Sequence, residues 1–71
     1  MNEDASIVAR IMMEEGYFTL ELLATYGDPE ALATIDEVRE RLYARVAAAR
    51  LKAPDGLKGD DLYEWLNDHV R

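Results

Sequence analysis

The chain has 71 residues and contains no cysteine. It therefore has no disulfide, no thiolate zinc site and no cysteine nucleophile. Ser6 is the only serine and His69 the only histidine, and they lie near opposite ends of the chain. A serine–histidine pair could form only if the two ends met over one cleft. We therefore expect a protein that is not an enzyme and uses no cofactor, with His69 in the last turn of a helix.

Basic residues are few, with 8 Lys+Arg against 15 Asp+Glu and a formal net charge of −7. Binding to a nucleic-acid backbone requires a basic face, so we do not expect nucleic acid as a partner. No apolar run approaches the ~20 residues that cross a bilayer, and the start of the chain is acidic, unlike a signal peptide. We expect no membrane contact and a cytoplasmic location.

No metal site is predicted either. Glu37 and Glu40 have an adequate spacing on one helix, but the Glu-x-x-His pattern of carboxylate metal sites in helical bundles is absent. We interpret this pair as part of a solvated helix face, with Glu37 placed to pair with Arg41 one turn later.

Glycine and proline are sparse, so the few that occur mark the helix boundaries. The tripeptide Gly27-Asp28-Pro29 has a residue suited to end one helix, then an N-cap and a first-turn proline for the next. The segment 53–59 reads as a loop, and no segment alternates in the manner of a strand. The sequence predicts a single all-α domain over 1–71. It consists of a helical hairpin of about 4–26 and 29–52 and a short C-terminal helix at 60–71.

Apolar spacing assigns a buried face to each helix. In the C-terminal helix we expect caps from Asp60 and Asp61 and an anchor at Trp65. Stripes are predicted at Ala31, Ile35, Val38, Leu42, Val46 and Ala49, and at Leu62, Trp65, Leu66 and Val70. A third follows Ile7, Val8, Ile11, Met12, Phe18, Leu22, Leu23 and Tyr26.

Gly16 leaves two interpretations of the first segment. Because the third stripe keeps its phase across Gly16, a single helix over 4–26 is favoured. One interior glycine costs it only about 1 kcal/mol. The alternative is two short helices with Gly16 ending the first. A continuous helix would place Glu15 in the apolar stripe, with Arg10, Arg39 or a second subunit supplying a cation, whereas a break would expose it.

A second apolar stripe on the first segment is the main functional prediction. One hairpin partner cannot cover two opposite faces, so we expect this stripe to contact another chain unless the C-terminal helix covers it. The predicted partner or dimer interface consists of Ala9, Met13, Gly16, Tyr17, Leu20 and Ala24. Small domains without disulfides often oligomerise, so we expect a homodimer that forms a four-helix arrangement.

Charge is also patterned along the chain. Residues 39–52 carry five bases against Glu40 alone, whereas residues 1–38 are strongly acidic. In an antiparallel hairpin, Arg50 and Lys52 would lie beside the acidic start of the chain. We interpret these bases mainly as partners of acids in the same chain or in a dimer mate.

The hairpin hinged at Gly27-Asp28-Pro29, the short helix after it and the acidic charge resemble small phage-encoded inhibitors of host proteins. Anti-CRISPR and anti-quorum-sensing proteins are of this kind. The resemblance implies a phage protein that acts in the cytoplasm on a host transcription regulator or ATPase. It assigns no individual residue a role.

Two functions other than a stoichiometric inhibitor or modulator remain open. The chain could be an antitoxin or a structural subunit of a complex. It could also mimic nucleic acid by presenting carboxylates where a binding protein expects phosphates. The carboxylates available for mimicry are Glu3, Asp4, Glu14, Glu21, Asp28, Glu30, Asp36 and Asp61.

Overall fold

The computed structural model describes residues 3–70, and all regular structure within them is α-helical. Four helices follow one another: α1 (Glu3–Glu14), α2 (Phe18–Thr25), α3 (Pro29–Arg50) and α4 (Gly59–Val70). The predicted all-α class is thereby confirmed. α3 is the longest helix and contacts each of the other three.

The predicted continuous helix over 4–26 is wrong, because the chain turns at Gly16. Gly16 has a φ of +91°, a left-handed conformation that glycine adopts without steric cost. Its N–H donates to the carbonyl of Met13 at 3.1 Å, and the N–H of Tyr17 donates to the carbonyl of Met12 at 3.0 Å. These two bonds form a Schellman motif that satisfies the last carbonyls of α1. The carbonyl groups of Met12 and Met13 therefore keep hydrogen-bond partners although α1 ends here.

The same motif ends α2 at Gly27, which has a φ of +95° and donates to the carbonyl of Ala24 at 3.1 Å. Asp28 then caps α3, since its carboxylate accepts from the N–H groups of Glu30 and Ala31 at 3.0 and 3.1 Å. The predicted boundary at 27–29 is confirmed. Two glycine turns thus make α2 a separate helix of eight residues.

The core lies between α1, α3 and α4. Its buried residues are Ile7, Val8, Ile11 and Met12 of α1, Ala31, Ile35, Leu42, Val46 and Ala49 of α3, and Leu62, Tyr63, Leu66 and Val70 of α4. The predicted stripe of α3 is confirmed, with Val38 half-buried at its edge. The predicted stripe of the first segment is confirmed only as far as Met12, because α2 has no buried residue.

The C-terminal helix differs from its prediction in two details. It begins at Gly59, so Asp60 and Asp61 lie in its first turn. Trp65 is half-buried and packs at the edge of the core, whereas Tyr63 and Leu66 are buried within it. Tyr63 is not among the residues of the predicted stripe of this helix. Its ring lies against Arg10, whose guanidinium carbon is 3.8 Å from the ring centroid.

Ion pairs join the helices at their surface. Arg50, at the end of α3, contacts Glu3 at 2.9 Å and also Asp4, which confirms the predicted position of Arg50 beside the acidic start of the chain. Burial lowers the pKa of Arg50, but hydrogen bonding to Glu3 and the charge of Asp4 outweigh it and raise the pKa above its usual value. Arg10 contacts Asp60 of α4 at 3.0 Å, and this hydrogen bond raises the pKa of Arg10.

Candidate functional site

Five of the seven large hydrophobic residues that are exposed within residues 3–70 lie on or beside α2. Phe18 is 55% exposed and Tyr26, the residue that follows α2, is 83% exposed. Met13, in the last turn of α1, is 64% exposed. We call the region formed by Met13, Phe18, Leu22, Leu23 and Tyr26 the α2 surface.

The helical geometry of α2 explains why these side chains are exposed. Tyr17, Leu20 and Ala24 are half-buried, and Tyr17 and Leu20 pack against the core. Phe18, Leu22 and Tyr26 follow one another at intervals of four and therefore form a row on the outer side. No other helix within residues 3–70 covers that row, so α2 is apolar both toward the core and toward solvent.

A groove of about 270 Å³ runs along the junction of α1 and α2. It is bordered by side chains of both helices and by the turn at Gly16. The lining residues are Ala9, Met12, Met13, Tyr17, Phe18, Glu21, Leu22 and Thr25. The α2 surface therefore includes a concave part that can receive a protruding side chain.

Almost no charge interrupts this region. Glu21 is the only charged residue between Gly16 and Gly27. Its carboxylate contacts Arg39 of α3 at 2.8 Å, and Arg39 also contacts Asp36 at 3.1 Å. The single acid of α2 is thus compensated by α3, and the outer row of α2 presents only uncharged side chains.

The structure places the six predicted interface residues in three settings. Ala9 and Met13 are exposed and line the groove, together with the half-buried Tyr17. Gly16 is exposed in the turn. Leu20 and Ala24 are half-buried on the inner side of α2. The groove therefore gathers three of the six.

A buried position was predicted for Phe18, Leu22, Leu23 and Tyr26, and that prediction is wrong because all four are exposed. One signal in the sequence could have found them. Gly16 and Gly27 enclose a short apolar segment with a single charged residue. If both glycines form turns, this segment is a separate helix, and the spacing of apolar residues in α1 does not determine which of its sides is buried.

Glu15 is exposed, as expected for a break at Gly16. The cations predicted for it pair with other acids: Arg10 with Glu14 and Asp60, and Arg39 with Glu21 and Asp36. His69 lies in the last turn of α4, as predicted.

Three further findings bear on the kind of site present. Within residues 3–70 no cluster of three or more histidines and acids is placed to hold a metal ion. In the same range, no helix combines the length and the apolar character that crossing a membrane requires. Comparison of the chain with protein families, with curated proteins and with solved structures finds no match.

Proposed function

We propose that this protein is a small non-enzymatic interaction module that pairs with a second copy of itself and modulates another protein by stoichiometric binding. The observation that carries the proposal is that α2, although apolar on both sides, has no buried residue. Large contiguous apolar surface is unusual on a soluble monomer and typical of contacts with another chain.

The size of the α2 surface is compatible with the centre of such a contact. Phe18 and Tyr26 alone leave roughly 250 Å² exposed, since an aromatic side chain buries about 150–250 Å² when fully covered. Met13, Leu22 and Leu23 add to this area. A stable interface buries about 800 Å² on each partner, of which the apolar centre is one part.

A second copy is the partner that this chemistry fits best. In a two-fold dimer the same patch meets itself, so the patch must be self-complementary. An uncharged apolar row satisfies that condition, whereas most other surface of a chain with net charge −7 would repel a second copy. In the dimer, α2 and the first half of α3 of each copy would form a four-helix arrangement.

The nucleic-acid mimic receives less support. Of the eight carboxylates available for mimicry, Asp28 caps α3 and five contact arginines of the same chain. Those five are Glu3, Asp4, Glu14, Glu21 and Asp36. Acids neutralised in this way are poor substitutes for a row of phosphates.

Sedimentation equilibrium across a micromolar concentration series tests the proposal. We expect a dimer for the natural chain and a monomer for Leu22→Asp, because two copies of the new carboxylate would face each other in an apolar contact. The matched control is Leu51→Asp, which places the same charge on a leucine that is 90% exposed and lies outside the α2 surface. We expect this control to dimerise normally.

Circular dichroism should show equal helicity for all three proteins, since neither leucine is buried. A natural chain that stays monomeric throughout the series contradicts the proposed self-association. A dimer that Leu22→Asp leaves intact contradicts the location of the contact on the α2 surface.

A further inference from the structure

A second groove, of about 390 Å³, lies between the last third of α3 and the second half of α4. Arg45 of α3 and Lys52 of the turn after α3 border it on one side, and Trp65 and His69 of α4 border it on the other. Ala48 and Ala49 line the groove between the two bases. It lies toward the opposite end of α3 from α2, which joins α3 at Pro29.

The two bases of this groove differ from the remaining arginines of α3. Arg39, Arg41 and Arg50 each contact a carboxylate of the same chain. Within residues 3–70, no carboxylate lies at ion-pair distance from Arg45 or Lys52, although Arg45 also borders a shallow depression shared with Glu15. Two cations that have no ion-pair partner among the described residues therefore lie on one groove of an acidic protein.

The aromatic wall of the groove is ordered by two contacts. The rings of Trp65 and His69 stack with centroids 3.7 Å apart and an interplanar angle of 11°. Nδ1 of His69 donates a hydrogen bond to the carbonyl oxygen of Trp65 at 2.7 Å. The bond fixes the imidazole ring, and in the neutral ring it leaves Nε2 as an acceptor.

We propose that this groove binds an extended acidic peptide segment of a partner protein. Two carboxylates of the segment would meet Arg45 and Lys52, and an apolar side chain between them would pack on Trp65 and the two alanines. The inference deepens the proposed function, because it names the chemistry of the protein that the module binds. It uses a surface separate from the one proposed for self-association.

The spacing of the two bases favours a peptide. Arg45 lies on α3 and Lys52 lies seven residues later, in the turn that follows α3, so their backbone positions are separated by about 10 Å along the helix axis. A peptide extended in the polyproline II conformation has three residues per turn, so residues three positions apart lie on the same side of it, about 9 Å apart. Carboxylates at positions i and i+3 can therefore reach both bases at once.

A nucleic acid fits the same groove less well. Its backbone carries charge along its whole length and would meet the acidic surface of a chain with net charge −7 beyond the two bases. The walls formed by Ala48, Ala49 and Trp65 are better suited to an aliphatic or aromatic side chain than to phosphates.

The chain contains a single tryptophan, so the fluorescence of Trp65 reports directly on this groove. The probe is a twelve-residue peptide built of Asp, Glu and Leu, titrated against the natural chain at low and at high salt. Its control is the same peptide with Asn and Gln in place of Asp and Glu. We expect a saturable change in fluorescence with the acidic peptide, at least tenfold weaker binding of the neutral one, and weaker binding at high salt.

Charge reversal on the protein locates the contact. We expect Lys52→Glu to weaken binding of the acidic peptide at least tenfold. Lys58→Glu makes the same change in net charge at an exposed lysine outside the groove, and we expect less than a twofold effect. Equal losses in both variants would show general charge attraction and overturn the proposal.

Three other results would also overturn it. One is the absence of any fluorescence change or calorimetric heat with the acidic peptide. The others are binding of inorganic phosphate, or of an oligothymidylate of equal charge, as tight as that of the peptide. Leu22→Asp separates this inference from the proposed self-association. A Leu22→Asp monomer that still binds the peptide supports both proposals, whereas a natural chain that dimerises but fails to bind the peptide contradicts only the inference.

Discussion

α1 and α2 are neighbouring helices of similar apolar content, yet their fates in the fold differ. α1 buries Ile7, Val8, Ile11 and Met12, whereas α2 buries none of its residues. The two helices are separated only by the turn at Gly16. The extent to which each helix is buried therefore depends on the direction that the turn at Gly16 gives to α2. α1 packs against α3 and also contacts α4 through Arg10, which meets Asp60 and the ring of Tyr63, while α2 lies chiefly against α3.

Charge explains why one helix could be interpreted from its sequence and the other could not. The outer face of α1 carries Arg10 and Glu14, which contact each other and mark the solvent side. α2 has no such mark, because its only charged residue, Glu21, is turned toward Arg39. A helix that is apolar on both sides gives no information about which side faces the core.

The largest expected effect is on the core side of this comparison. Ile11 is completely buried, so Ile11→Ala should lower the free energy of unfolding by about 3 kcal/mol through lost burial and the cavity left behind. Leu22→Ala, on the exposed row of α2, should cost less than about 1 kcal/mol. Urea denaturation at a concentration where the protein is monomeric measures both. Similar losses for the two substitutions would show that α2 belongs to the core.

An intermediate effect is expected at the turn between the helices. A Cβ at Gly16 would meet no atom within 4 Å, so Gly16→Ala should destabilise the protein only through its left-handed backbone, by about 1 kcal/mol. D-Alanine at position 16, introduced by chemical synthesis, prefers that conformation and should leave stability unchanged or raise it. Thermal unfolding distinguishes the two proteins. If L-alanine is tolerated as well as D-alanine, residue 16 does not adopt the left-handed conformation, and α1 and α2 form the single continuous helix over 4–26 that the apolar spacing predicts.

The smallest effect is expected at the ion pair that holds α2 on α3. Arg39→Gln removes the contact with Glu21 and should cost less than about 1 kcal/mol, as is usual for pairs near the surface. Arg41→Gln is the control, because Arg41 pairs with Glu37 within α3. Amide exchange should become faster in α2 for Arg39→Gln but not for Arg41→Gln. Unchanged exchange in α2 would show that apolar contacts alone hold it.

Much of the fold follows from local signals in the sequence. Asp28 accepts from the first N–H groups of α3 as its residue type predicts. The stripe from Ala31 to Ala49 is regular, so its burial could be predicted from spacing alone. The break at Gly16 could not, because an interior glycine is compatible with either a helix or a turn. The turn is stabilised by a hydrogen bond from the backbone N–H of Tyr17 to Met12, and the residue type at position 17 does not reveal that bond.

The candidate site was predictable only in part for the same reason. Met13 and Tyr17 were identified as interface residues because they fall outside the core stripe, and both line the groove. Phe18 and Leu22 were assigned to the core because the helical spacing of α1 was continued past Gly16, where the helix in fact ends. In α4, the ring of Tyr63 lies beneath the guanidinium of Arg10 from α1. The spacing of residues within α4 does not reveal this contact between helices.

Hydrogen–deuterium exchange of the natural chain at increasing protein concentration measures the coverage of α2 most directly. If a second copy covers the α2 surface, exchange in 18–25 should slow as the concentration rises into the range where the dimer forms, while exchange in the buried part of α1 stays constant. Exchange in α2 that is independent of concentration would contradict self-association through this surface. So would slowing that is spread equally over all four helices.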